Sequence, residues 1–549
     1  MKRWISLLLA GTLLTAAMPT AFAATTYSDV PSSSWAASSI QKAGDAGLMQ
    51  GVGNGKFGYG KVISRGEFVT ILVRMFGWDV QKTGAFTDTA GNWAEGYIDT
   101  AAAHDVVDTG GAFRPQDTIT RQEMAEMLVR ALGYGILADK AEGYTLPFTD
   151  VTQGKGYISV AYDIGMTTGV SATQFAPKAT VAREQAATML VRIYEKYHAK
   201  TQLLHGFYAI SSYSQIGLTS QMDVVSVGWS HMTYSAETGA QLVTKTGDDS
   251  LYGIPNSYES AVEKIRNNGA KLYLSIYMDN TGKKLSAMLA DVSARSQAAQ
   301  AIAAEAIRRY EEVGASPYSG VTIDFEGLTG SADKANFNAF LTQLDQLLTQ
   351  GNRGLYVAVM PILSQGSYYN GYDYRTIGNL ADKVILMAHN YQPTSMDGFL
   401  GTEYYKNAAL TPLASVYDSL RAAVDPNTGV SDPDKLILAI SCMANAWETD
   451  ANGKLVSATP VTPNMQTVKK RLTGGAVQGY SQTYRNPYLT YTTEDGKHMF
   501  MWYEDSRSVE EKVTLAKLFG VDNVSLWRLG EIPDDSTSGL YFNVMHAVK

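Results

Sequence analysis

The sequence predicts an α/β chain: a (β/α)8 TIM barrel over residues 201–549, preceded by an all-α-rich module of three repeats over residues 24–200. Three observations carry this. Short apolar runs alternate with helical patterns after Lys200, and a motif recurs three times before it. Within the first region, Gly320-Val321-Thr322-Ile323-Asp324-Phe325-Glu326 reads as a buried strand that ends in two carboxylates. With 549 residues and a hydrophobic fraction of 45%, the chain can bury more than one sizeable core.

Residues 1–23 have the three parts of a secretory signal. Lys2 and Arg3 are followed by an apolar stretch from Ile5 to Met18 and a small-x-small step, Ala21-Phe22-Ala23. Gly11, Thr12, Thr15 and Pro19 interrupt the apolar stretch, which favours a cleaved leader over a membrane anchor. A secreted protein is expected, with no membrane span after cleavage. The net charge of −8 and the lack of a long basic run exclude nucleic acid as a partner. Cys442 is the sole cysteine, so no intrachain disulfide can form, and its apolar run Leu436–Cys442 makes it a buried strand residue. An exported chain without disulfides fits a Gram-positive-type surface. The 7 histidines are scattered without metal-ligand spacing, so neither a metal nor a cofactor is expected.

The repeats span about residues 24–80, 81–142 and 143–200, a period of roughly 60 residues. Each opens on an aromatic-polar-Asp step: Tyr27-Ser28-Asp29, Phe86-Thr87-Asp88 and Phe148-Thr149-Asp150. Trp35 and Trp93 follow in the first two, whereas Tyr157-Ile158 stands in the third. A glycine-rich turn leads to a helix start at Ser64-Arg65-Gly66-Glu67, Thr120-Arg121-Gln122-Glu123 or Ala182-Arg183-Glu184. Ser64 and Thr120 are N-caps, with Glu67 and Glu123 at the capping-box position. The arginine beside each cap is not needed for capping. It is free for an anion, or it pairs with a neighbouring acid.

These units resemble S-layer homology repeats. The resemblance implies a pseudo-threefold prism that binds a pyruvylated secondary cell-wall polysaccharide. It places Asp29, Trp35, Arg65, Asp88, Trp93, Arg121 and Arg183 in the binding grooves. Arginine suits a carboxylate-bearing ketal because its planar fork donates two parallel hydrogen bonds. The third unit departs through its missing Trp and through Ala182 before Arg183.

Eight candidate strands follow: Gly206–Ile210, Val224–Trp229, Leu272–Tyr277, Val321–Phe325, Tyr356–Met360, Val384–His389, Leu436–Ser441 and Val524–Trp527. Helical patterns lie between several, clearest at Ser257–Asn267, Gln297–Val313 and Lys334–Leu348. That alternation predicts the barrel, whose active groups sit at strand C-termini. In the fourth strand Thr322, Asp324 and Glu326 share one face and Val321, Ile323 and Phe325 the other. Two acids on one face form a strand-end ion pair or hydrogen-bond cluster, or they do chemistry, since a neighbouring carboxylate raises an acid's pKa. Their place at a barrel strand's end favours the second.

The fourth strand is similar to the signature of glycoside hydrolase family 18, Asp-x-x-Asp-x-Asp-x-Glu. Met360-Pro361, Met387-Ala388-His389-Asn390-Tyr391 and Trp527 fall in order at later strand ends. The runs Trp502–Ser508 and Val524–Gly530 resemble the spore cortex-lytic branch, whose members are N-acetylglucosaminidases acting on peptidoglycan. In this family the substrate's own acetamide is the nucleophile. The resemblance implies that Glu326 is the acid/base and that Asp324 orients the acetamide. It puts Thr322, Met387, His389, Asn390, Tyr391 and Trp527 around the sugar. Trp527 is its apolar floor or ordinary barrel core, and His389 either donates to the acetyl oxygen or is a core histidine. Ser319 and Thr322 replace the first two aspartates of the signature, and His389-Asn390 stands for the usual Tyr-Asp pair unless Tyr391 supplies the phenol.

The expected function is cleavage of the β-1,4 bond after N-acetylglucosamine in peptidoglycan, by a protein anchored to the cell wall through its repeats. Chitin is the alternative substrate. A non-catalytic sugar-binding protein is the alternative class, and the intact Glu326 argues against it.

Overall fold

The computed structural model describes residues 26–245, 252–363, 369–536 and 539–549; the expected leader, residues 1–23, lies outside them. By packing, the chain divides into two units. One runs up to Ala131 and adds Pro177–Val191; the other joins Leu132–Ala176 to Arg192–Lys549.

The first unit is built on helices Ala37–Asp45, Arg65–Met75, Glu95–Ala103 and Arg121–Ala131. Ser64 closes a full capping box with Glu67. Thr120 does the same, since the Glu123 N–H donates to its hydroxyl at 3.2 Å and its own N–H donates to the Glu123 carboxylate at 2.9 Å. Asp99 is fully buried and accepts backbone N–H groups from Thr83, Gly84 and Ala85 at 2.7, 2.9 and 3.1 Å.

The packing does not divide at residue 200. Helices Gly135–Ala141 and Lys155–Asp163 group with the barrel, through its helix Leu413–Ala423. Asp163 accepts from Arg421 Nε at 2.9 Å and Tyr417 at 2.5 Å, and Lys140 lies 2.5 Å from Asp418. The Arg421 guanidinium also lies over the Tyr144 ring, 4.6 Å from its centroid. Charges and rings therefore tie the segment Leu132–Ala176 to the barrel wall.

The barrel strands are β1 Leu203–Tyr208, β2 Val224–Ser235, β3 Lys271–Met278, β4 Gly320–Phe325, β5 Gly354–Val359, β6 Lys383–Leu386, β7 Leu436–Ser441 and β8 Asn523–Trp527. All eight pair in parallel in chain order, and β1 also pairs β8, which closes the barrel. On β4, Phe325 faces outward onto Phe337 and Phe340 of helix Gly330–Gln350, with ring centroids 6.1 and 5.3 Å apart. Burying such a ring contributes roughly 1.5–3 kcal/mol. Gly320 begins β4 because neighbours leave no room: a Cβ there would lie 2.4 Å from both the Tyr273 ring and the Gly354 carbonyl.

Several expected boundaries shift; the sixth strand, expected over Val384–His389, is Lys383–Leu386, and the second runs on to Ser235. The first strand ends at Tyr208 rather than Ile210, and the helix expected over Gln297–Val313 is Val292–Ile307. Asp291 sets that helix start by accepting from the Ser293 and Ala294 N–H groups. Between β7 and β8 the chain inserts a four-stranded antiparallel sheet, from Asn445–Thr449, Val477–Ser481, Asn486–Thr492 and His498–Trp502. The run Trp502–Ser508 joins its strand His498–Trp502 to the next helix. Trp502 Nε1 donates to the Tyr405 carbonyl, Glu504 pairs with buried Lys512 at 2.8 Å, and Asp505 caps helix Ser506–Leu518.

Candidate active site

Alternation along β4 turns Thr322 and Asp324 into the barrel, and Glu326 follows just past its end. The Glu326 N–H donates to the Met278 carbonyl at 2.9 Å, extending the pairing with β3 by one residue. Since Phe325 pairs with Met278 and Asp324 with Tyr277, Asp279 becomes the neighbour of Glu326 across that edge. Tyr372 steadies the strand end by donating to the Phe325 carbonyl at 2.7 Å.

Asp324 is only 2% exposed, and its Oδ1 has no hydrogen-bond partner. Burial, and then the charge of Glu326, push its carboxyl well above the ordinary range. Burial, and then the charge of Asp279, push Glu326 up to about 7. A carboxyl with that value is protonated over much of the neutral range and gives its proton up readily, as a general acid/base must. Tyr277 stacks on Tyr252 with centroids 4.5 Å apart. Burial raises both phenols, with Glu326 the next cause for Tyr277 and Asp324 for Tyr252, so both remain donors.

Trp527 is half-buried, edge-on to Phe207 at 5.1 Å, and rests on the inward core that includes Met387, Met360 and Ala358. An apolar ring above an apolar core can face a sugar. His389 is half-buried and neutral, its pKa pushed down to about 4 by desolvation of the ring, and its buried Nδ1 is unpartnered. The Ser441 hydroxyl, beside Trp527 in the β7–β8 register, is unpartnered as well. A buried polar atom without a partner is costly, so Asp324, His389 and Ser441 are groups a ligand would satisfy.

Thr322 does not turn to Asp324 in the way its position invites. Its hydroxyl meets Ser226 at 2.6 Å, Ser226 meets His205 Nε2 at 2.7 Å, and His205 Nδ1 meets Ser525 at 2.7 Å. Burial lowers the His205 pKa to about 3, so this chain through the barrel stem is neutral. Tyr391 is corrected as a source of the missing phenol: its hydroxyl bonds Ser419 at 2.7 Å on helix Leu413–Ala423. Beyond the end of β6 at Leu386, Asn390 takes φ 58°, and its Nδ2 donates to Met443 Sδ at 3.8 Å.

In the first unit, Asp29 accepts from the N–H groups of Phe57, Gly58 and Tyr59, and Asp88 from those of Phe113 and Arg114. Desolvation would raise both, but these N–H donors hold them below the usual carboxylate range. Asp150, grouped with the barrel, accepts likewise from Phe175 and Ala176. Arg65 and Arg183 are not free for an anion. Arg65 pairs with Glu123 and Arg183 with Glu67, the capping glutamates of neighbouring repeats. Arg121 is buried, and its backbone N–H donates to the Ala179 carbonyl at 3.0 Å. Trp35 and Trp93 are 64% and 59% exposed. Trp93, Arg183, Glu67 and Arg74 line one groove of about 230 Å³; Arg65, Glu123 and Arg130 line another of about 240 Å³.

A separate cavity of about 950 Å³ lies on the inserted sheet, lined by Tyr405, Tyr480, Tyr488 and Phe500 and by none of the barrel-mouth groups. Among the described residues no group of three or more His, Cys, Asp or Glu could hold a metal ion. Sequence reasoning missed Asp279, Tyr277 and Ser441. The first two lie at the end of a strand it did identify, and pairing that strand in parallel with β4 would have placed them beside the acids.

The profile of the glycosyl hydrolases family 18 matches residues 185–531. The chain belongs to that family. The S-layer homology domain matches residues 26–69 and 85–125. The cortical fragment-lytic enzyme of Bacillus subtilis is 26% identical over 216 residues, 39% of this chain and 47% of that protein. The chain thus spans about half the length of that relative. The surface layer protein of Brevibacillus choshinensis is 35% identical over 143 residues, 24% of this chain and 13% of its own. Among solved structures, the C-terminal domain of a chitinase candidate from Desulfitobacterium hafniense superposes with a TM-score of 0.50 at 20% identity. It covers 64% of this chain and 100% of its own, a likeness of fold. Among the described residues no helix is long and apolar enough to cross a membrane.

Proposed function

We propose that the protein is a cell-wall-associated glycosidase that cleaves the β-1,4 bond after N-acetylglucosamine in peptidoglycan. The observation that carries this is the pair of buried Asp324 and half-buried Glu326 at a family 18 barrel mouth, with Glu326 held up to about 7. Glu326 protonates the glycosidic oxygen as the C1–O bond breaks, while the acetamido carbonyl oxygen of the same sugar bonds to C1. Asp324 orients that acetamide and offsets the positive charge of the oxazolinium. Water, deprotonated by Glu326, then attacks C1 and restores the acetamide with retained configuration. Trp527 is the floor of the sugar site, and His389, Ser441 and the Tyr277 phenol are the polar groups around the acetamide.

The relative named for cortical fragments supports peptidoglycan as the polymer, and the S-layer homology domain supports a location beside it. Secondary cell-wall polysaccharide is the anchor, held in the grooves that contain Trp93 and Arg183 or Arg65. The carboxylate of Asp150, seated like those of Asp29 and Asp88, supports reading residues 143–200 as a third repeat of the same kind. The expected leader supports export.

The test is digestion of purified peptidoglycan and of chitin oligomers by the full chain, with new reducing ends identified by mass spectrometry. Peptidoglycan products ending in reducing N-acetylglucosamine are expected, and Glu326→Gln abolishes them. Products from chitin alone would move the substrate to the alternative reading. Release of a variant lacking residues 24–200 from isolated walls is expected, and its retention refutes the anchoring role.

A further inference from the structure

The barrel mouth is an acidic place. Asp279, Asp324 and Glu326 lie at the adjoining ends of β3 and β4. Across the mouth, immediately after Trp527, stands Arg528. Its Nη1 donates to the Ser211 hydroxyl at 2.8 Å, in the segment that follows β1. The residues after it are knitted to that same segment and to β1, with the Gly530 N–H on Gln215 Oε1 at 2.7 Å and the Leu529 N–H on the carbonyl of Phe207 in β1 at 2.9 Å. The guanidinium is therefore held in place, half-buried, beside the floor of the sugar site.

Among the described residues Arg528 has no carboxylate within ion-pair distance, and Ser211 is its one side-chain partner. With Nη1 engaged, the Nε–Nη2 edge is left open, and that edge is the fork that takes a carboxylate through two parallel N–H bonds. Its charge reaches the Tyr252 phenol, as do the charges of Asp324 and Glu326, so cation and acids share one rim. A neutral chitin chain offers such a group hydroxyl and carbonyl acceptors but no opposite charge. An unpaired cation facing three acids across a cleft instead fits a ligand with a negative group at one end and a neutral acetamido sugar at the other.

We infer that Arg528 binds a carboxylate carried on the residue flanking the N-acetylglucosamine at the cleavage site, and so selects carboxylate-bearing glycan over chitin. This rests on the proposed assignment of Glu326 and Asp324. Two sources present that chemistry in peptidoglycan: the lactyl ether of the muramyl sugar, or the stem peptide that amidates it. Arg528 holds whichever is present, while the acetamide of the neighbouring sugar is held over Trp527. It is a specificity residue and takes no part in proton transfer.

The experiment compares the full chain with Arg528→Gln, Arg528→Lys and Ser211→Ala by steady-state kinetics on four soluble oligomers. These are chitin tetramer, peptide-free glycan with free lactyl carboxylates, the same glycan with those carboxylates amidated, and glycan bearing stem peptides. Arg528→Gln is expected to raise KM on the matching carboxylate oligomers by about ten- to a hundredfold, with little change in kcat. Loss on chitin and on the amidated glycan is expected to be far smaller, and Arg528→Lys to recover part of the difference. A response on free lactyl glycan names that source; a response confined to peptide-bearing glycan names the stem peptide. Equal losses on neutral and charged oligomers, matched by Ser211→Ala, would show that Arg528 only fastens the segment after β1 and would overturn the inference. Wild-type protein that cleaves chitin and all glycans equally also overturns it, while leaving the proposed activity standing. Wild-type protein that cleaves none refutes both.

Discussion

The carboxylates of the repeats and those of the barrel mouth solve opposite problems. Asp29 and Asp88 are surrounded by backbone N–H donors and sit below the ordinary aspartate value. Asp324 is buried with one oxygen unpartnered, Glu326 is half-buried beside it, and both sit above the ordinary carboxylate range. The sign of their pH linkage is opposite as well. Asp29 and Asp88 contribute stability above their unfolded value, near 3.8, and lose it as pH falls through their lower folded values. The site acids fold most favourably when protonated, and ionisation as pH rises toward about 7 withdraws stability. An acid with all its hydrogen bonds made is architecture, whereas one left short of partners is available to a substrate.

The contrast is broken most sharply by removing the working acid. Glu326→Gln is expected to lower kcat by about a hundred- to ten-thousandfold on soluble glycan, with no loss of thermal stability. An unaffected rate would remove Glu326 from the chemistry. Asp324→Asn is expected to cost about a hundredfold in kcat, because a neutral amide cannot offset the developing positive charge. Retention of full activity would assign that job elsewhere.

The opposite pattern is expected at a satisfied acid. Asp99→Ala strands three backbone donors and should destabilise the 26–131 unit by about 2–3 kcal/mol in calorimetry, with kcat unchanged. A kinetic defect without a stability defect would contradict the division between architecture and chemistry. The smallest effect is expected at Asp279, whose charge is the second cause lifting Glu326. The falling limb of kcat/KM should centre near pH 7 in the wild type and move to lower pH in Asp279→Asn, since the raising charge is gone. A limb that stays in place would leave burial alone responsible.

Much of this could be read from residues alone, and the gaps have physical causes. The β4 run was legible because period-two alternation is a local property, and it placed Asp324 and Glu326 correctly on one face. Asp279 was not, because its partnership with Glu326 runs across two strands that are far apart in the chain. The direction of Tyr391 was not legible because β6 ends at Leu386, so counting along the strand no longer tells which way the side chains beyond it point. Glu67 and Glu123 were legible as caps, but their second oxygens meet arginines of other repeats, which a capping rule does not include. The inserted sheet was missed altogether. His498–Trp502 is largely buried on both faces, so it lacks the polar alternation that marks a strand.

The hydroxyl and imidazole chain under the acids has a consequence of its own. A neutral imidazole donates through one nitrogen and accepts through the other, so Ser525, His205, Ser226 and Thr322 can be wired in two senses. Changing the tautomer reverses every O–H along the line without moving a heavy atom. Where relatives of the signature keep fixed negative charge, this barrel keeps rotors. Its stem is a line of neutral donors and acceptors whose dipoles can turn without displacing the backbone.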